Sequence, residues 1–135
     1  MTAPSVGAIR YVLLFALLYY VLMTIVGLAF IAGGVHPSGM NIIVLILVST
    51  CVALLFIRKH KRLFSIGEYL TVVIGSIMVD VAVELGIVAL RGGQITIDQW
   101  PIMAMVFGGH ALLLAVAYSP WSWIVRGYAR RVTGP

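Results

Sequence analysis

Charge is what this sequence has least of. Of 135 residues only nine are Lys or Arg and four are Asp or Glu, while 62% are hydrophobic and the mean hydropathy is +1.12. A soluble domain carries about 25% charged residues, and a chain this small needs polar side chains over most of its surface. That shortage excludes a disordered chain and comes close to excluding a water-soluble globule. The single cysteine, Cys51, has no partner for an internal disulfide and lies in an apolar run, so it carries no information about redox compartment. No lysine falls within an apolar stretch, which removes a retinal-type Schiff base.

What is present is a series of long apolar runs. No formal charge occurs between Arg10 and Arg58, and Gly33-Gly34-Val35-His36-Pro37-Ser38-Gly39 interrupts that stretch in its middle. Two spans joined by a tight turn fit it, at about residues 9–32 and 41–57, each near the ~20 residues that cross ~30 Å of hydrocarbon. The first is too long for a signal-peptide core and is read as an uncleaved span. Arg58-Lys59-His60-Lys61-Arg62 follows, the densest cluster of charge in the chain. Ser65 and Glu68 then stand at capping-box spacing and start a third span, about 66–90, which the glycine pair after Arg91 ends. The fourth, about 100–120, is bracketed by Trp100 and by Trp121 and Trp123, residues that favour the headgroup region. Asp98 is placed to cap it, and Pro101 is tolerated in a first turn. The basic tail from Trp123 to Arg131 is amphipathic and suits the membrane surface. The expected fold is therefore an all-α membrane protein, a single domain of four transmembrane helices in an up-down bundle with a short amphipathic C-terminal segment.

Orientation follows from where the cations fall. Arg10, Arg58, Lys59, Lys61, Arg62, Arg126, Arg130 and Arg131 share one side of this four-span reading, against Arg91 alone on the other. The positive-inside bias puts both termini and the middle loop in the cytoplasm, as a multi-pass protein of a bacterial inner membrane. Arg58, Lys59, Lys61 and Arg62 thus set topology, and they can also hold anionic lipid headgroups. Orientation accounts for this basic cluster, so nucleic acid is not an expected partner. No segment between the spans is long enough for a soluble catalytic domain, and no convincing internal repeat occurs.

Two carboxylates have no such architectural reason. Asp80 lies roughly 18 Å from Glu68 and roughly 15 Å from Leu90 along a helix, near the bilayer midplane. Glu84 is one turn further on the same face, and Ser76 continues that face one turn the other way. Each carboxylate costs a few kcal/mol in a span, so both must face the protein interior or a partner. Close together in a low-dielectric site they resist being ionised at once, which lets the pair store a proton. His110 sits at matching depth on the fourth span, where an Asp80–His110 hydrogen bond is possible, and Gly108-Gly109 beside it would admit a neighbouring helix. Tyr19, Tyr20, Thr24, Ser49 and Thr50 are further polar groups able to join. The competing reading of Asp80, Glu84, His110 and Ser76 is interhelical hydrogen-bond glue.

Other chemistries find no support. A bis-histidine haem lacks a second ligand at suitable depth, since His36 and His60 lie outside the spans. Aspartyl proteolysis lacks a second buried aspartate, and metal-ligand spacing, phosphate loops and nucleophile motifs do not appear. No cofactor is expected.

Pro37-Ser38-Gly39 with Asn41, the Phe56–Arg62 segment ending in His60-Lys61-Arg62, Phe64-Ser65 with Glu68, and Gly75-Ser76 form a pattern of short matches over most of the chain. The pattern resembles an uncharacterised family of small bacterial inner-membrane proteins with four helices. That resemblance implies a membrane protein of unknown activity and carries over no residue roles. The expected function is a membrane-embedded accessory or structural subunit, whose partners are the lipid bilayer and another membrane protein or a second copy. The alternative is a small proton- or cation-coupled transporter using Asp80 and Glu84.

Overall fold

A computed structural model describes residues 6–33, 40–90, 96–119 and 122–133. The described residues are helical, with no strand: α1 (Val6–Ala32), α2 (Met40–His60), α3 (Ile66–Leu90), α4 (Trp100–Tyr118) and α5 (Trp123–Thr133), with a 3-10 turn at Ile97–Gln99 before α4. Helix is the form that satisfies every backbone group of an apolar segment without water. Four of the helices are long and apolar enough to cross a membrane. Most of the turn after Gly33, Arg91 with its glycine pair, and Trp121 lie outside the described residues.

Local chemistry explains the helix ends. α2 runs past Ile57 through Arg58, Lys59 and His60, whose cationic side chains suit the carbonyl end of a helix. Lys61 then turns the chain with φ 54°, and its N–H donates to the Ile57 carbonyl at 2.8 Å, a left-handed C-terminal cap built on a non-glycine residue. At the start of α3, the Ser65 N–H donates to Glu68 Oε2 at 3.0 Å and the Glu68 N–H to Ser65 Oγ at 3.4 Å, the reciprocal capping-box bonds. Arg62 grips the same carboxylate with both guanidinium nitrogens, at 2.6 and 2.8 Å, and lies 5.2 Å from the centre of the Phe56 ring. These hydrogen bonds to Glu68 raise the Arg62 pKa above its ordinary value.

Asp98 does not cap α4. It lies within the 3-10 turn, one residue too early, and Gln99 occupies the cap position without a side-chain cap hydrogen bond. The Gln99 Oε1 instead accepts from the Thr96 N–H at 3.3 Å, and Pro101 supplies a helix-ready φ in the first turn. α4 ends at Tyr118 because Ser119 (ψ 138°) precedes a proline and is held extended.

The helices pack as a square in which α1 adjoins α2 and α3, and α4 adjoins the same two, while α5 lies on α2. Buried positions recur at helical spacing: Ala8, Tyr11, Phe15 and Tyr19 on α1; Val72, Ser76 and Asp80 on α3; His110, Leu114 and Tyr118 on α4. α2 contributes a broader face from Val44 to Ile57, and Val125 and Ala129 seat α5. Burial is lopsided along the bundle. Among the described residues it stops at Tyr19 on α1 and begins only at His110 on α4, so one half of the bundle is closely packed and the other is open except along α2, where Val44 and Leu45 are still buried. The packed half ends in an aromatic cluster, with Phe56 stacked on Phe64 at 3.9 Å and Tyr11 and Tyr118 edge-on to them.

Close approach of α1 and α3 rests on Gly75. A Cβ there would stand 2.6 and 2.7 Å from the two methyls of Val12, whose β-branched side chain has little freedom to retreat. Gly75→Ala is expected to destabilise the bundle by about 1–3 kcal/mol, in the range of core overpacking. Adding Val12→Ala should recover most of the loss, as read by unfolding in detergent; no recovery would place the strain elsewhere.

Candidate functional site

The polar side chains converge where the packed half of the bundle gives way to the open half. Asp80 is 1% exposed and lies mid-way along α3. Its Oδ1 accepts from the Tyr19 hydroxyl on α1 at 2.7 Å, and its Oδ2 lies 2.8 Å from Nδ1 of His110 on α4. An ionised Asp80 can only accept, so the His110 Nδ1–H is then the donor. His110 is 3% exposed and makes no hydrogen bond through Nε2 among the described residues.

Glu84 stands one turn further along α3, half-buried, and its Oε1 accepts from Nδ2 of Asn41 in the first turn of α2 at 2.7 Å. The four spans thus all contribute to one polar layer: Tyr19 from α1, Asn41 from α2, Asp80 and Glu84 from α3, His110 from α4. A single ligand atom each from Asp80, Glu84 and His110 can be chosen so that all lie within 4.8 Å of one another. Ligands around one small divalent cation sit about 3–3.5 Å apart, so the trio could hold such an ion only after contracting.

Ser76 faces the same interior but takes another partner, the Tyr118 hydroxyl at 3.2 Å, one turn into the packed half. Tyr69 adds a bond from its hydroxyl to the Ala115 carbonyl at 2.9 Å, so three hydrogen bonds tie α3 to α4. No fully buried side-chain nitrogen or oxygen atom among the described residues lacks a hydrogen-bond partner, so the unbonded Nε2 of His110 is an atom that still reaches the surface.

Several expected participants are elsewhere. Tyr20 is exposed, Thr24 bonds the Tyr20 carbonyl of its own helix at 2.8 Å, and Ser49 bonds the carbonyls of Leu45 and Ile46. Gly108 and Gly109 admit no neighbouring helix of this chain: nothing lies within 4 Å of where their Cβ atoms would be, because they sit in the open half. In the basic loop, Arg62 is occupied by Glu68, whereas Arg58, Lys59 and Lys61 are exposed and make no ion pair among the described residues. Sequence reasoning did not place Asn41 or Tyr118 among the interior polar groups. Asn41 is a polar side chain in the first turn of α2, at the end of the bundle toward which Glu84 stands on α3, a signal that could have found it; Tyr118 shows no comparable signal, being one of several aromatic residues.

No protein-family model matches the chain, and no curated protein or solved structure matches it either.

The Tyr19–Asp80 bond joins two helices far apart in sequence, so its contribution is measurable as a coupling. A double-mutant cycle of Tyr19→Phe and Asp80→Asn, read by unfolding in detergent, is expected to give about 0.6–1.7 kcal/mol of interaction energy, the range of interhelical hydrogen bonds in membranes. Additive single effects would show that the bond holds nothing together.

Proposed function

We propose that this is a membrane-embedded accessory or structural subunit, an up-down four-helix protein of a bacterial inner membrane with both termini in the cytoplasm. The observation that carries the reading is that the polar layer closes on the chain's own side chains. Both Asp80 oxygens are taken by groups from other helices of the same chain, so the charge in the membrane serves the bundle's architecture. What remains for a partner is apolar surface, and the open half of α4 presents Trp100, Ile102, Met105 and Val106. The partner is another membrane-spanning protein or a second copy.

Orientation has a geometric support beyond counting. Tyr11 near the start of α1 bonds His60 at the end of α2, Phe64 before α3 meets Tyr118 at the end of α4, and α5 lies on α2. These contacts gather Arg10, the Arg58–Arg62 cluster and the arginines of α5 at one end of the bundle, which the positive-inside rule assigns to the cytoplasm. A periplasm-active reporter fused after Pro135 should stay dark, and a cytoplasm-active one should be bright; the reverse would sink the orientation. Gentle detergent extraction should yield a complex of fixed stoichiometry, and a lone monomer would overturn the subunit reading.

A second reading, a small proton- or cation-coupled transporter, is favoured by one observation: Asp80, Glu84 and His110 stand within a few ångströms of each other and His110 keeps Nε2 unbonded. The two readings part at His110→Asn, whose amide nitrogen replaces Nδ1 as donor to Asp80 but cannot exchange a proton. A structural clamp predicts near-normal stability and complex formation in this variant. Loss of proton-coupled flux in proteoliposomes, with the fold intact, would instead establish the transporter.

A further inference from the structure

Between the first turns of α1 and the last turns of α2 lies a cavity of about 610 Å³, outside the Asp80 layer. Its rim carries Arg10, Arg58 and Lys59, and no carboxylate lines it. Below them, one turn deeper into the spans, Leu14 and Leu55 form apolar walls, four residues from Arg10 and three from Arg58. Tyr11 and His60 also line it, fixed by a 3.0 Å hydrogen bond and by the edge of the Tyr11 ring on Phe56, so this wall is rigid. Positive charge at the rim over apolar walls is the inverse of a lipid's own layout, an anionic head above an acyl chain.

We propose that this groove binds one anionic phospholipid, its phosphate held by Arg10, Arg58 and Lys59 and the top of an acyl chain lying along Leu14 and Leu55. The neighbouring charges divide by task. Arg62 is bound to Glu68 and serves the start of α3, whereas the three rim cations make no ion pair among the described residues. They stand at the ends of apolar spans, the depth at which headgroup phosphates lie. A free phosphate ion would use the same cations but would draw nothing from the leucine walls.

The test uses the full-length chain in nanodiscs of phosphatidylcholine containing a minor fraction of phosphatidylglycerol. The protein is re-extracted in mild detergent and its co-purified lipid counted by mass spectrometry. Phosphatidylglycerol should be enriched over the bulk mixture, and each of Arg10→Gln, Arg58→Gln and Lys59→Gln should lower that enrichment about fivefold, the effect of one cation near an anionic lipid surface. Leu55→Trp, at a position already 38% exposed and so tolerant of bulk, fills the groove without altering charge and should also release the lipid. Two results would overturn the proposal: equal loss from Arg126→Gln with Arg130→Gln, which lie outside the groove and report general electrostatics, or displacement of the lipid by inorganic phosphate together with full retention in Leu55→Trp.

Discussion

A carboxylate in the middle of a bilayer-spanning helix has to find its hydrogen-bond donors inside the protein, because lipid supplies none and leaving the charge unpaired costs several kcal/mol. Asp80 imposes that condition on α3, and much of the bundle is arranged around meeting it. Tyr19 has to reach it from α1 and His110 from α4, which sets the rotation of both helices and their translation along α3. The buried faces of α1 and α4 are those that carry these two residues: Tyr19 ends the series Ala8, Tyr11, Phe15, and His110 opens the series Leu114, Tyr118. In a membrane, apolar surface distinguishes poorly between helix–helix and helix–lipid contact. A few directional polar bonds therefore select one register among many that dispersion alone would leave nearly equal.

The same constraint explains the lopsided packing. On the packed side of Asp80, aromatic stacking around Phe56 and Phe64, the Gly75–Val12 approach and the Ser76–Tyr118 and Tyr69–Ala115 bonds hold the helices close. On the other side the Asn41–Glu84 bond is the one hydrogen bond between these helices among the described residues, and glycines at positions 27, 86, 108 and 109 face open space. A water-soluble protein could not leave so much apolar surface uncovered. In lipid it is permissible.

The helices were legible in the sequence because length and hydropathy are strong signals in a chain that has to cross a fixed thickness. Asp80 and His110 were legible as partners because helical rise converts sequence position into depth, and charges inside spans are few enough to be matched by level. Three things were not legible. Periodicity could not show that α2 contacts α1 and α4 more than α3, since every span is apolar all round and offers no distinct buried stripe. The cap of α4 was misplaced because Asp98 satisfies residue preference but falls inside a 3-10 turn, whose presence only backbone geometry reveals. Gly108-Gly109 invites close packing by composition alone, yet whether a neighbour arrives depends on where the bundle opens, which is a tertiary property.

Arg62 shows why a run of like charges need not act as a unit. Counted for orientation, Arg58, Lys59, Lys61 and Arg62 are equivalent; counted by contacts, the run from Arg58 to Arg62 divides into four roles. Arg62 neutralises Glu68, which itself caps α3, so this cation and anion form part of the folded framework and add nothing to the net field at that end. His60 is committed to Tyr11 and the aromatic cluster, and Lys61 turns the chain. Arg58 and Lys59 line the groove between α1 and α2, joined across the helix pair by Arg10, while the Lys61 ammonium, which makes no ion pair among the described residues, does not line it. A pair of helix ends that had only to carry charge would need neither the groove nor its leucine walls.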